Sequence, residues 1–221
     1  MKVKVIFATV AFALIIAVNL LNADGERAGT LDSMTKLRSA NKAERFEAAL
    51  SLLRERRKTV EELQKIITEN IKAAENTNDE NIKQVRWETA RTSIWSLGKM
   101  RAVEAVPLLV ENLTFLVLDP LRGGQPIEEK LPSVGALIEI GTPSLEPVLQ
   151  RVEGLDVQDR RVTEYVARCA ATVIRGVLDR KVAIAYVEDH IEQQNDPVRQ
   201  QRLMRLRQLV DNDLQQIFRS D

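Results

Sequence analysis

Apolar residues recur at helical spacing along almost the whole chain after residue 42, and this repetition constrains the fold more than any other feature. Each stripe places apolar side chains three or four residues apart, which buries one face of an α-helix. Short segments rich in glycine, proline, asparagine or aspartate separate the stripes. Because alternating strand patterns are nearly absent here, the sequence predicts an all-α fold. The stripes cover residues 43–53, 60–74, 82–97, 103–117, 131–140, 143–152, 162–177, 182–191 and 203–218.

The connections between successive stripes are short, which predicts antiparallel helical hairpins. In the clearest hairpin, Gly98 follows the stripe that starts at Ile82, and we expect it to end the first helix in a left-handed conformation. In the hairpin before it, Thr59 with Glu62 three residues later predicts an N-cap that begins a second helix. Residues 119–126 contain two prolines and two glycines and are expected to form the longest internal loop.

Two successive segments carry a similar motif. The first has Val85-Arg86, Leu97-Gly98 and Ala105-Val106-Pro107-Leu108-Leu109, and the second has Ala136-Leu137, Ile140-Gly141, Pro143 and Val148-Leu149. These segments resemble HEAT repeats of the kind found in phycobilin-lyase-like HEAT proteins. The resemblance is clearest over residues 80–150, and it implies an α–α superhelix, a short solenoid of antiparallel hairpins, over residues 41–221. A repeat match of this kind indicates a fold but does not specify a function.

The first 23 residues have the pattern of a signal peptide, which we expect to form an N-terminal signal helix. A short basic segment precedes an uncharged apolar run, and cleavage is expected after Ala23. The alternative is an uncleaved membrane anchor over residues 5–21, since the run is near the short limit for a transmembrane helix. Both alternatives predict export, to a bacterial periplasm or to the outside of the cell, and a membrane contact only if the segment is retained. Residues 24–40 are expected to form a flexible lead-in.

The composition argues against several classes of function. Lys plus Arg and Asp plus Glu number 32 each, so no net charge favours a nucleic acid. One histidine, His190, and one cysteine, Cys169, predict no metal site and no cofactor. We expect Cys169 to be a buried, inert thiol on its helical stripe. No nucleophile and base stand in a recognisable catalytic arrangement, so an enzyme is not expected.

The placement of charges indicates a candidate binding surface. Basic residues outnumber acidic ones on the first helix of three predicted hairpins, and acidic residues prevail on the second helices. In HEAT-like stacks the second helices line the concave side, where solenoids bind partners. The alternatives are that the carboxylates are solvated or pair with basic residues, and that Trp87 is buried between repeats. The candidate partner-binding residues are Glu104, Glu111, Glu146, Glu188, Glu192 and Trp87.

These features predict an exported, non-enzymatic scaffold or adaptor that binds a protein partner with a basic surface. The HEAT resemblance leaves a lyase-type or other ligand-handling protein open as the alternative. A nucleic-acid partner is not expected, because the chain is predicted to be exported and because its clustered arginines fit the solvent face of a terminal helix. These arginines are Arg199, Arg202, Arg205 and Arg207.

Overall fold

The computed structural model describes residues 42–115, 130–155 and 160–212, and within these ranges the chain is helical with no β-strand. The all-α prediction is therefore confirmed for these residues. Short 3₁₀ turns at Val103–Ala105 and Thr142–Ser144 precede two of the helices. The predicted signal peptide, the lead-in and the loop at 119–126 lie outside the described residues. The α-helices are α1 (Lys42–Glu75), α2 (Glu80–Lys99), α3 (Val106–Glu111), α4 (Pro132–Ile140), α5 (Leu145–Glu153), α6 (Arg160–Val177), α7 (Arg180–Gln193) and α8 (Pro197–Asp211).

α1 is one uninterrupted helix, so the predicted hairpin break at Thr59 is wrong. The hydroxyl of Thr59 donates to the carbonyl oxygen of Glu55 at 3.0 Å inside the helix, and it does not cap a new one. The preceding residues 54–58 are all good helix formers, so nothing in the local sequence stops the helix. Residues 42–59 belong to one compact unit, and the later described residues, which contain α2 to α8, belong to a second.

The helices of the second unit pack in a regular order. α2 lies against α4, α4 against α6 and α6 against α8, while α3 lies against both α4 and α5. α5 packs against α6 and α8, and α7 packs chiefly against α8. The removal of apolar surface from water at these contacts is the main stabilising contribution. The largest fully buried side chains in this unit include Ile94, Leu97, Leu109, Leu137, Leu149, Ile174, Leu203 and Leu206.

Gly98 does not end its helix as predicted, because α2 continues to Lys99. The left-handed residue after α2 is instead Arg101, with a φ of 48°. Gly98 allows a close contact between helices: a Cβ atom at this position would lie 2.7 Å from the Cα atom of Ala136 on α4. In the next hairpin Gly141 follows α4 directly and has a φ of 85°. The two glycines of the resembling segments therefore have different structural roles.

Four large apolar side chains that the helical stripes assign to the core are exposed near the starts of α-helices, and a fifth, Val103, is exposed in the 3₁₀ turn before α3. Ile82 and Val85 of α2, Val162 of α6 and Val182 of α7 have exposed fractions between 46% and 58%. Each lies within the first two turns of its helix. The helical period marks a direction around the helix axis, but it does not show whether a neighbouring helix extends as far as these first turns. The prediction that these five side chains are buried is therefore wrong.

Aspartates cap the first turns of three helices. The side chains of Asp79, Asp179 and Asp196 precede α2, α7 and α8, respectively. Each carboxylate accepts hydrogen bonds from two backbone N–H groups, at 2.8 to 3.2 Å. These bonds satisfy donors that have no partner within the helix. The caps therefore define where α2, α7 and α8 begin.

An ion pair joins α6 to α8. Arg205 donates from Nε to Oε2 of Glu164 at 2.9 Å and from Nη2 to Oε1 at 2.6 Å, and Arg168 donates to the same carboxylate at 3.2 Å. Hydrogen bonds from Arg205, which have the largest influence, and from Arg168 lower the pKa of Glu164, although partial burial opposes them. Arg205 is exposed, as expected for a solvent-facing side chain, but it also connects two helices.

Acidification should remove this connection. Because the pKa of Glu164 is lowered by folding, its contribution to stability is present above the ordinary value of 4.5 and is lost as the pH falls through the folded pKa. At neutral pH we expect the free energy of unfolding of Glu164→Gln to be about 1 kcal/mol or less below the wild-type value, since the pair is partly exposed. Urea unfolding at neutral and acidic pH measures this difference, and a difference that persists in acid would contradict the assignment.

Candidate interaction surface

The five acidic candidates lie on the second helices of the hairpins or in the turn that leads into one of them. Glu104 is in the 3₁₀ turn before α3, and Glu111 is the last residue of α3. Glu146 is in the first turn of α5, and Glu188 and Glu192 lie on α7. Glu188 is half-buried and the other four are exposed. Because α3 packs against α5, the surface of the second helices continues from one hairpin to the next.

Glu111 borders an open hollow of about 550 Å³ between α1 and α3. Nε2 of Gln64, on the α1 side, donates to the carbonyl oxygen of Glu104 at 3.1 Å and so ties α1 to the turn before α3. The lining mixes apolar, amide and charged side chains on a shallow surface. Such a surface suits a protein or peptide segment better than a small ligand, which needs an enclosed pocket. The lining residues are Gln64, Lys65, Thr68, Glu69, Pro107, Leu108 and Glu111.

Trp87 is half-buried and borders a second hollow, of about 390 Å³, together with Glu111 and Phe115. Nζ of Lys83 lies 5.0 Å from the centre of its ring, which is a cation–π distance. Trp95, which the sequence did not single out as a candidate, is more exposed, with 59% of its surface accessible. Both tryptophans lie on α2, so only the positions of the neighbouring helices reveal which one faces solvent.

Glu146 is the centre of a hydrogen-bonded cluster that joins α5 to α7. Its Oε2 atom lies 3.1 Å from Nε2 of His190 and 3.4 Å from the hydroxyl of Tyr186. Its Oε1 atom accepts from Nε2 of Gln150 at 2.8 Å. Nδ1 of His190 lies 2.8 Å from the carbonyl oxygen of Tyr186. Glu146 and His190 could not be paired from the sequence, because 44 residues separate them.

The ionisation equilibria of this cluster are shifted. Burial alone would raise the pKa of Glu146, but hydrogen bonds from Gln150 and His190 and the charge of His190 lower it overall. Burial alone would lower the pKa of His190, but its contacts with the backbone of Tyr186 and with Glu146 raise it overall. Burial, assisted by Glu146, raises the pKa of the Tyr186 hydroxyl. The carboxylate and the imidazole therefore favour each other's charged forms.

Glu188 is bound within the chain. Its Oε1 atom accepts from Nε of Arg207 on α8 at 2.9 Å, and Arg207 also contacts Asp211 at 3.4 Å. Such partly exposed pairs contribute at most about 1 kcal/mol each, so a competing cation could displace Arg207. Of the acidic candidates, Glu188 therefore fits the alternative in which a carboxylate pairs with a neighbouring basic residue.

Cys169 is fully buried on α6, as predicted, and burial raises the pKa of its thiol to about 12. A thiol with such a pKa stays protonated and is a poor nucleophile. Within the described ranges, no group of three or more His, Cys, Asp or Glu side chains could hold a metal ion. In the same part of the chain, no helix combines the length and apolar character needed to cross a membrane.

No protein-family profile, curated protein sequence or solved structure matches this chain. The resemblance to HEAT repeats therefore stays a prediction.

Proposed function

We propose that this chain is a non-enzymatic scaffold that binds a protein partner through an acidic surface. This acidic surface is formed by the second helices of HEAT-like hairpins and by the turn before α3, with Glu104, Glu111, Glu146 and Glu192 at its exposed positions. The proposed partner presents Lys or Arg side chains to it. The observation that carries the proposal is the arrangement of these exposed carboxylates on helices that repeat along the chain.

Several contacts between the hairpins support a repeat length of about 40 residues. Four side-chain contacts in the second unit join residues that are 40 or 41 positions apart. A constant separation is expected when equivalent positions of successive repeats touch, and HEAT repeats have a period of about 40–47 residues. The contacts involve first helices as well as second helices, which supports the proposed superhelix. The pairs are Gln64 with Glu104, Lys99 with Glu139, Glu146 with Tyr186, and Glu164 with Arg205.

A binding role also fits the chemistry of the acidic surface. Carboxylates on adjacent helices can meet several cationic groups of one partner, and such complementarity increases specificity and association rate. The hollow beside Glu111 adds apolar contacts from Pro107 and Leu108, which charged pairs alone would not supply. The proposed location, in the cell envelope or outside the cell, rests on the signal-like pattern of residues 1–23.

Affinity purification from the native host tests the proposal directly. The wild-type chain should retain a protein partner, and the double variant Glu104→Lys with Glu111→Lys should bind that partner at least about tenfold more weakly, equivalent to about 1.4 kcal/mol. Raising the salt concentration should weaken the wild-type complex more than the variant complex, because salt screens exposed charges. Mass spectrometry identifies the partner, and titration calorimetry measures the two affinities.

A matched control separates the acidic surface from overall charge. Glu44→Lys with Glu80→Lys changes the net charge by the same amount at two exposed positions on first helices. This control should bind the partner with nearly wild-type affinity. Equal losses in both double variants would show a general charge effect, and an unchanged affinity in the Glu104/Glu111 variant would refute the acidic surface as the binding site.

A further inference from the structure

Both ring nitrogens of His190 face oxygen atoms at hydrogen-bonding distance. Nδ1 lies 2.8 Å from the backbone carbonyl oxygen of Tyr186, and Nε2 lies 3.1 Å from Oε2 of Glu146. A carbonyl oxygen and an ionised carboxylate oxygen are acceptors only. A neutral imidazole has a single N–H donor, so either tautomer would direct a ring lone pair at one of these acceptors. While Glu146 is ionised, both contacts can be hydrogen bonds only if the ring is an imidazolium ion, which has two donors.

Side chains make the link between α5 and α7. α5 packs against α6 and α8, and α7 packs chiefly against α8, so the backbones of α5 and α7 are not closely packed together. Glu146 on α5 reaches His190 and Tyr186 on α7 instead. The histidine side chain is 21% exposed and the glutamate side chain is 54% exposed, so protons and solvent ions can reach the pair. The His190 contact therefore adds to the Tyr186 bond in joining the two second helices.

We propose that His190 and Glu146 form a proton-operated clamp between α7 and α5, closed when the imidazole is protonated and released when it is neutral. In the closed state Nε2–H donates to Glu146 while Nδ1–H donates to the Tyr186 carbonyl oxygen. Loss of the Nε2 proton leaves a ring lone pair opposite the carboxylate, and the two atoms repel. Glu146 then keeps its bonds with Gln150 and Tyr186 but is free of the cation.

The negative charges around the clamp favour protonated His190 and therefore the closed state. Besides Glu146, Asp189 on α7 itself favours the imidazolium. Because folding raises the pKa of His190, the clamp's contribution to stability is fully present below the ordinary value of 6.5 and is lost as the pH rises through the folded pKa. Two cations of the helices packed against α7 act on other carboxylates: Arg207 of α8 binds Glu188, and Arg175 of α6 acts on Asp211.

Release of the clamp would also change the acidic surface. Neutral His190 no longer offsets Glu146, so this surface becomes more negative by one charge as the pH rises. A cationic partner that takes Glu146 competes with the imidazolium, and its binding should therefore strengthen as the pH rises through the folded pKa. This regulatory consequence rests on the proposed function, whereas the clamp itself does not.

Nuclear magnetic resonance can test the clamp without resonance assignment, because the chain has a single histidine. The full chain, prepared without a histidine tag, is titrated while the imidazole proton and nitrogen signals are followed. We expect a wild-type midpoint above 6.5, with both ring nitrogens protonated below it. Glu146→Gln should lower the midpoint, because the amide removes the negative charge. Glu192 is an exposed carboxylate on α7, the helix that carries His190, and Glu192→Gln should change the midpoint less.

The clamp and the proposed scaffold function can be refuted independently of each other. A wild-type midpoint equal to or below that of Glu146→Gln would overturn the clamp, whatever the chain binds. The urea midpoint of the wild type should exceed that of Glu146→Gln between pH 4.5 and 6.5, the ordinary pKa values of the carboxylate and the imidazole. This advantage should disappear as the pH rises through the histidine titration. An advantage that does not change with pH would also overturn the clamp. Failure to recover a partner would count against the scaffold and would leave these measurements decisive for the clamp.

Discussion

Replacing Leu137 by alanine should lower the free energy of unfolding by about 2–5 kcal/mol. Leu137 is fully buried on α4, the helix that packs against α2, α3 and α6. Truncation removes apolar contacts and leaves a cavity that these three helices cannot all move to fill. Urea unfolding, followed by far-ultraviolet circular dichroism, measures the change.

Met204→Ala is the matched control for this substitution. Met204 is a side chain of similar size on α8, but 47% of its surface is exposed. Its truncation should change the free energy of unfolding by no more than about 0.5 kcal/mol, as is usual for surface positions. If both variants lost the same stability, α4 would not lie at the centre of the core.

Gly98→Ala should destabilise the protein by about 1–3 kcal/mol. Alanine is favoured over glycine inside a helix by about 1 kcal/mol, so the local preference alone would stabilise α2. The new methyl group would lie 2.7 Å from the Cα atom and 3.0 Å from the Cβ atom of Ala136, and a backbone atom cannot rotate away. Separation of α2 from α4 is therefore the expected response, and its cost exceeds the gain in helix propensity. Thermal and urea unfolding measure the net effect.

Thr92→Ala tests the helix propensity without the close contact. Thr92 is exposed on the same helix, and its hydroxyl donates to the carbonyl oxygen of Glu88 at 2.9 Å. We expect a change within about 0.5 kcal/mol. A Gly98→Ala variant that is more stable than the wild type would show that α2 and α4 are further apart than the structure indicates.

The helical class of the fold could be predicted from the sequence, because the buried face of each helix requires apolar residues at three- or four-residue spacing. The hairpin at residues 80–111 follows from its stripes and from the short connection between them. The role of Gly98 could not be predicted, since a glycine that permits helix contact and a glycine that ends a helix look the same in sequence. Thr59 shows a similar ambiguity, because a threonine that caps a helix can equally bond back to the turn before it.

The candidate surface was predictable only in part. The bias of acidic residues toward second helices is visible in the sequence, and four of the five selected glutamates are exposed. The pairing of Glu188 with Arg207 and of Glu146 with His190 depends on which helices are neighbours. Sequence spacing within one helix carries no information about such contacts, which join residues 19 and 44 positions apart.

The position of α8 has a consequence for biosynthesis. This helix contacts α5, α6 and α7, and its Leu203 and Leu206 are fully buried. Since the ribosome makes a chain from its N-terminus, residues 197–211 emerge after all three of those helices. Until they emerge, the apolar surfaces of α5, α6 and α7 that pack against α8 stay exposed to solvent. A chain truncated before Pro197 should therefore bind holding chaperones more strongly than a chain that includes α8.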